Sequence, residues 1–388
     1  MKEARSAGSP FGRAFVRRIV CGLLPMFILI LDVGAVLGQE VASAPQPQSS
    51  GQSRVVVQAR ELVRQWLADD DLPGVSAAVG IGGDLVWAEG FGLADLEQQV
   101  PVSPSTRFRI GSVSKSLTSA AVGILYERGR LDLDVPIQEY VPDFPKKRWP
   151  ICLRQLMGNV SGIRDYRGEE EMLSTVHYDS ILESLQIFAA DSLLFQPETS
   201  YQYSTFAWDL VGAAVESAAG ESFLEFMQRG VFVPAGMQET VPDFPSTIVS
   251  ERANFYQMDA DGHLRNAAYV DQSDKWAGGG FLSTPSDLVR FGFAMLDGKL
   301  LEPTTVDLLW TPLQLESGKS TRYGLGWFVR KLGDQRVIGH GGKSMGSRSS
   351  FMIFPETRMV VAVMANVTEA RIARVAITLA RLFDPTGK

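Results

Sequence analysis

Strand patterns occupy the two ends of this chain, with helical patterns between them. Near the front, VSAAVGI and LVWAEGFG flank Gly82-Gly83-Asp84, which reads as a hairpin, and TRFRI (106–110) reads as a short strand. From Tyr323 onward, YGLGWFVRKL, QRVIGH, SRSSFMIF and MVVAVMAN read as further strands. Strand groups so far apart can bury their apolar faces together by joining one sheet. Helical spacing covers 54–70, where Val56, Leu62, Val63, Trp66 and Leu67 share a face until Pro73-Gly74 stops it. It returns from Ser114, with Leu117, Ala120, Ala121, Ile124 and Leu125 on one face and Gly129 as the stop. Signals from about 150 to 270 are mostly helical with many turns, clearest over 205–220. After a tight glycine turn, Ser283 or Thr284 caps a helix with Pro285 in its first turn, and the amphipathic EARIARVAITLARLF closes the chain. The expected fold is α+β. An antiparallel sheet is flanked by helices, an inserted, mostly helical subdomain spans about 150–270, and a cleft lies where the two meet.

The front of the chain needs separate treatment. Arg13, Arg17 and Arg18 precede IVCGLLPMFILIL, an apolar run broken by Pro25 and ended by Asp32, and small residues follow. These are the parts of an export signal over residues 1–38, cut after Gly38 or Ala44. The apolar core is shorter than the roughly 20 residues of a membrane span; an uncleaved anchor over 19–38 is the alternative. Residues 39–53 read as a flexible linker and 54–388 as the folded domain. The expected location is periplasmic or extracellular, with membrane contact only if the front segment stays attached. Residues 1–38 hold Cys21, so their removal leaves Cys152 alone and no internal disulfide. A core of this size can do without one. The net charge is −7, or −10 without residues 1–38, and no basic run stands out, so nucleic acid is not an expected partner.

Two serine patterns compete for a chemical role. Gly342-Lys343-Ser344-Met345-Gly346 matches the G-x-S-x-G elbow, which needs a strand-to-helix turn and a histidine later in the chain. Here a strand follows, and His177, His263 and His340 all precede Ser344. That reading fails. The other pattern is Ser112-Val113-Ser114-Lys115, where a lysine follows a serine by one helical turn. A weak hydroxyl nucleophile needs an adjacent base, and a helix N-terminus favours negative charge on a reacting oxygen. Among the crowded hydroxyls at 112–118, Ser112 is the one with a lysine at +3. Tyr203-Ser204-Thr205 precedes the clearest helix, and His340-Gly341-Gly342 ends a predicted strand.

In order and placement these three motifs resemble those of the penicillin-recognising serine hydrolases, which are S-x-x-K, Y-x-N, and K-T-G or H-x-G. That family holds class C beta-lactamases, D-Ala-D-Ala carboxypeptidases and related esterases and aminopeptidases. The surrounding text, RFRIGSVSKSLTSAAVGILYERGRLDLDVPIQEYVPDFP and GHGGKSMGSRSSFMIFPETRMVVAVMAN, is similar too, and YSTFAWDLVG looks closest to the branch of the mitochondrial beta-lactamase-like serine protease. The resemblance covers roughly 54–383. It implies Ser112 as the acylated nucleophile, with Lys115 as its proton acceptor together with Tyr203. It implies an oxyanion hole from the backbone N–H groups of Ser112 and Lys343, the latter on an edge strand. Thr205, His340, Gly341 and Gly342 would border the substrate, His340 binding its carboxylate or carbonyl.

The chain departs from the pattern at three places. Thr205 replaces an asparagine, Gly158-Asn159-Val160-Ser161-Gly162 replaces H-T-S-G, and H-G-G replaces K-T-G. Loss of the asparagine and lysine fits a peptide, amide or ester better than a penicillin. The expectation is an exported serine hydrolase acting through a covalent acyl-enzyme on a small-molecule or peptide substrate. A true beta-lactamase or D-Ala-D-Ala carboxypeptidase is one alternative, and a non-catalytic scaffold of the same fold is another. Tyr203 is expected to hold its proton at neutral pH unless a nearby lysine lowers its pKa. His177 and His263 stand apart from ligand-like spacing, so no metal and no cofactor are expected.

Overall fold

The computed structural model describes residues 50–384 and 386. The segment read as signal or anchor (1–38) and the linker up to residue 49 lie outside the described residues. Among the described residues, no helix is long and apolar enough to cross a membrane.

Six helices organise the molecule: α1 (Ser50–Asp69), α2 (Ser114–Glu127), α3 (Phe206–Ala219), α4 (Trp276–Gly279), α5 (Pro285–Leu296) and α6 (Ile372–Phe383). Helix α1 starts one turn earlier than its apolar spacing indicates, so 50–53, read as the end of the linker, are helical. No proline lies between Pro47 and Pro73, so nothing there forbids the extra turn. Helix α5 starts as expected, with the Thr284 hydroxyl accepting from the Asp287 N–H and Pro285 at the first helical position.

The sheet strands are β1 (Gly74–Ile81), β2 (Asp84–Asp95), β3 (Val100–Pro101), β4 (Phe328–Leu332), β5 (Gln335–Ser344), β6 (Ser347–Phe354) and β7 (Met359–Ala365). They form one seven-stranded sheet in the order β3-β2-β1-β7-β6-β5-β4. The two ends of the chain meet at β1 and β7, antiparallel from Val75 opposite Ala365 to Ile81 opposite Met359. Nearly all of both strands is buried, so they read as continuous apolar runs without alternation.

Side chains of the central strands alternate between two cores. Val75, Ala77, Val79, Val361 and Val363 pack toward α1 and α6. Ala78, Phe351, Ile353, Ala362 and Met364 belong to the other core, which continues through α2 and α5 to Trp208 and Leu210 of α3. The middle of the chain is less helical than its periodicity suggests. Apart from α3 and a continuous helical run over 223–235 with a π-helical middle, it holds short turns such as Glu169–Met172 and Ile181–Ser184, joined by loops. Phe223, Phe226, Met227, Val231 and Phe232 form a buried stripe on that run, whereas apolar side chains such as Ile163 and Phe188 bury loops and short turns. Cys152 is a buried free thiol.

Candidate active site

A short strand at Phe108–Arg109 feeds a sharp turn at Gly111, whose φ of +50° is the left-handed region that suits glycine. One turn of 3₁₀ helix (Gly111–Val113) then runs directly into α2. This places Ser112 just ahead of α2 and Lys115 in its first turn. Strand β5 presses on the turn backbone to backbone. A Cβ on Gly342 would sit 1.9 Å from the Ile110 carbonyl oxygen, and one on Gly111 would sit 2.6 Å from that of Lys343.

Strand β5 is the second from the edge, not the edge strand expected from the sequence. Its partner β4 pairs only with Gln335–Gly339, so among the described residues His340–Ser344 has no strand on that side. The H-G-G motif therefore lies mid-strand and along an open stretch. Such an edge offers main-chain hydrogen bonds to an extended ligand.

Lys115 is fully buried. Its Nζ lies 3.2 Å from Ser112 Oγ, donates to the Gly278 carbonyl at 2.7 Å, and stands 3.5 Å from Thr205 Oγ1. Burial lowers its pKa to about 8, with Asp165 and Asp209 opposing that shift and Lys275 adding to it. Gly278 belongs to α4. It permits this contact, since a Cβ there would meet Thr205 Cγ2 at 2.8 Å and Lys115 Nζ at 3.4 Å.

Tyr203 is half-buried, with its ring 4.9 Å from Lys115 Nζ. Burial pushes its phenol well above the usual value, with the Ser112 hydroxyl acting against the shift. Tyr203 therefore keeps its proton, and the lysine does not bring it into the neutral range. Between the two groups, Lys115 is the one that can accept a proton near neutrality.

His340 differs from its expected role. It is buried, its Nε2 lies 3.0 Å from the Tyr323 hydroxyl and its Nδ1 lies 2.7 Å from the Gly341 carbonyl. The carbonyl requires a donor, which assigns the proton to Nδ1 and makes Nε2 the acceptor from Tyr323. Burial lowers the pKa to about 3, and Lys115 adds to this. A neutral ring with both nitrogens engaged has neither charge nor free donor for a substrate carboxylate. It stiffens the wall beside Tyr203, whose ring centre is 6.2 Å away.

Thr205 is buried at the start of α3, where its N–H donates to Asp165 Oδ1 at 2.9 Å. Ser204 caps the helix, its Oγ accepting from the Ala207 N–H. Asn159, in the segment standing for H-T-S-G, accepts from the Ser204 N–H through Oδ1 at 3.1 Å. It thereby ties that loop to the tyrosine motif.

Ser112, Tyr203, His340, Gly341, Gly342 and Lys343 line a single groove of ≈ 790 Å³. Lys115 stands behind its wall, joined to it through Ser112 Oγ, and Thr205 stands in turn against Lys115 Nζ. Ser344 ends β5 at the hairpin turn into β6, opposite Ser347, with Gly346 at φ +74°. No helix follows, as the elbow motif would require.

Sequence reasoning missed Gly278, Asp165 and the acids behind them. Asp209 is one helical turn beyond Thr205 and completely buried, and neither carboxyl oxygen has a hydrogen-bond partner. Its pKa is raised well above the carboxylate range by burial and then by Asp274. Asp274 is itself raised to about 6 by burial, against the pull of Lys275, whose Nζ is 3.3 Å away. An acid inside the apolar helix TFAWDLVGAAVES was a readable signal.

His263, set apart by the sequence reading, meets Asp259 and Asp261 with ligand atoms within 4.8 Å of one another. Asp259 spends its oxygens on the N–H groups of Asp261 and His263 and on Arg265, which accounts for the cluster as a hairpin turn. His177 Nδ1 lies 2.9 Å from Asp271 Oδ2.

A serine hydroxyl beside a buried lysine and a protonated tyrosine, against an open strand, defines a serine hydrolase by class. The chain belongs to the beta-lactamase family, whose model matches residues 59–384. It is 29% identical to the "Serine beta-lactamase-like protein LACTB, mitochondrial" of Mus musculus, over 87% of this chain and 82% of that protein. It is 27% identical to a D-aminopeptidase of Gluconobacter oxydans, over 81% of this chain and 59% of that protein. Among solved structures, the octameric penicillin-binding protein homologue from Pyrococcus abyssi superposes with a TM-score of 0.74. The match is 23% identical and covers 84% of this chain and 77% of that one.

Proposed function

We propose that this protein hydrolyses an amide, peptide or ester bond through a covalent acyl-enzyme on Ser112. The observation that carries the reading is the 3.2 Å approach of Lys115 Nζ to Ser112 Oγ, by a lysine whose pKa is lowered to about 8. In this reading neutral Lys115 takes the Ser112 proton as Oγ attacks the carbonyl carbon. The resulting oxyanion rests on the N–H groups of Ser112 and Lys343. Tyr203 gives its proton to the departing nitrogen or oxygen and regains one from the Lys115 ammonium. Water then attacks the acyl carbon and loses its proton to Lys115, and Ser112 Oγ leaves reprotonated.

The similarity to a D-aminopeptidase supports an amide or peptide substrate. Neutral, fully engaged His340 and Thr205 in place of asparagine speak against a carboxylate beside the reacting carbonyl, as penicillins carry. The composition of residues 1–38 supports export. The test is kcat/KM for nitrocefin, a p-nitrophenyl ester and aminoacyl p-nitroanilides of both configurations. Ester or anilide turnover with slow nitrocefin cleavage is expected. Nitrocefin as the preferred substrate, near ~10⁶ M⁻¹s⁻¹, would make the protein a true beta-lactamase and sink the reading.

A further inference from the structure

The groove beside Ser112 continues past the reacting centre, over the open edge of β5 and onto the α6 face of the sheet. Strand register fixes its floor. Val337, Gly339, Gly341 and Lys343 point to one face. Opposite them on β4, Arg330 stands against Val337 and Phe328 against Gly339. On β6, Met352 stands against Gly339 and Ser350 against Gly341. Neither glycine carries a side chain, so the strand surface between Phe328 and Met352 is bare; Gly341 is exposed, while a Cβ on buried Gly339 would meet the Phe351 carbonyl oxygen at 2.0 Å. Helix α6 packs over β7 and β6 and belongs to one core with Val337 of β5, while Gly341 further along β5 is exposed; Ile377 lines the same groove.

The floor is apolar and the rim is cationic. Arg330, Lys331, Lys343 and Arg374 are exposed along it. Arg330 and Arg374 have no ion-pair partner among the described residues, whereas Arg371 is paired with Asp70. Glu369, the one acid lining the groove among the described residues, accepts from the Met258 N–H. A concentration of positive charge on a protein of net charge −7 is a local departure with electrostatic consequences.

We propose that the substrate of Ser112 is an anionic amphiphile. Its arm beyond the scissile bond is an extended hydrocarbon lying in the Phe328–Met352–Ile377 trench, and it ends in an acid over Arg330 and Arg374. The trench opens at Ser112 and Tyr203, which makes it continuous with the reacting site. This inference rests on the acyl-enzyme reading above. It places the negative charge at the far end of the arm, away from the carbonyl where His340 offers none.

The test compares kcat/KM for p-nitrophenyl acetate, p-nitrophenyl octanoate and the mono-p-nitrophenyl ester of octanedioic acid. Burial of the extra methylenes should raise octanoate over acetate by at least ~10-fold. The octanedioate ester should exceed octanoate at low salt and lose that advantage near ~0.5 M salt, where surface charges are screened. Ile377→Glu should lower the octanoate-to-acetate ratio, and Arg330→Glu with Arg374→Glu should reverse the octanedioate preference. Ratios cancel any loss of folded enzyme. Equal cleavage of acetate and octanoate, or ratios unmoved by these variants, would overturn the proposal while leaving the acyl-enzyme reading intact. Failure to cleave any ester, together with no adduct from a fluorophosphonate, would overturn both.

Discussion

Lys115 holds its Nζ 3.2 Å from Ser112 Oγ from a fully buried position, one helical turn further along the chain. The short link fixes the pair, and the burial gives the lysine an accessible neutral form. With a pKa lowered to about 8, about a tenth of the lysine is neutral at pH 7. Neutral lysine is the form that accepts a proton, so kcat/KM should rise with pH and level off above about 8. Lys115→Ala should lower kcat by at least ~100-fold and abolish that limb. A pH profile of wild type and variant checks this; a wild-type profile flat from pH 6 to 9 would remove Lys115 as the base.

Tyr203 should behave differently. Its phenol is pushed upward by burial, so it enters the reaction protonated. Tyr203→Phe is expected to lower kcat by at least ~100-fold with a smaller change in KM, because the lost proton donor acts in the transition state. The acid limb set by Lys115 should stay in place. An acid limb that moves by a pH unit in this variant would mean that the tyrosine shares the titration.

Asp209 offers a test of the electrostatics behind the lysine. Burial and then the neighbouring Asp274 raise its pKa well above the carboxylate range, which favours the neutral form, and Asp209→Asn keeps that form's shape. Activity within a few-fold of wild type and an unmoved acid limb are expected. A limb displaced downward in pH would show that Asp209 is ionised in the wild type and helps hold the lysine's proton.

Gly342→Ala should separate site geometry from site chemistry. The added Cβ would lie 1.9 Å from the Ile110 carbonyl oxygen and 2.2 Å from Ser349 Oγ, so β5 must move off the turn that carries Ser112. Loss of activity is expected although no group that reacts has been altered. Gly341→Ala is the control, because its nearest neighbour, the Ser349 carbonyl oxygen, is 3.8 Å away. Equal kcat/KM in the two variants would contradict this view of the strand.

Much of this arrangement was legible in the sequence. The three-residue step from Ser112 to Lys115 is a local helical relationship, and apolar runs at both chain ends pointed to a shared sheet. What was not legible depends on contacts between distant segments. Gly278 accepts from Lys115 through a main-chain carbonyl, which no side chain advertises. His340 looked available because its partner Tyr323 comes from a loop before β4. The fate of Tyr203 turned on burial, which spacing does not measure. The loops between 150 and 270 were missed because weak local preferences there yield to packing, and the extra turn of α1 because its polar residues carry no apolar spacing.

The most direct measurement is the site of covalent modification by a fluorophosphonate, read by peptide mass spectrometry in wild type, Ser112→Ala and Ser344→Ala. The account predicts one adduct, on the peptide containing Ser112, present in wild type and Ser344→Ala and absent from Ser112→Ala. An adduct on the Ser344 peptide that persists in Ser112→Ala would contradict it.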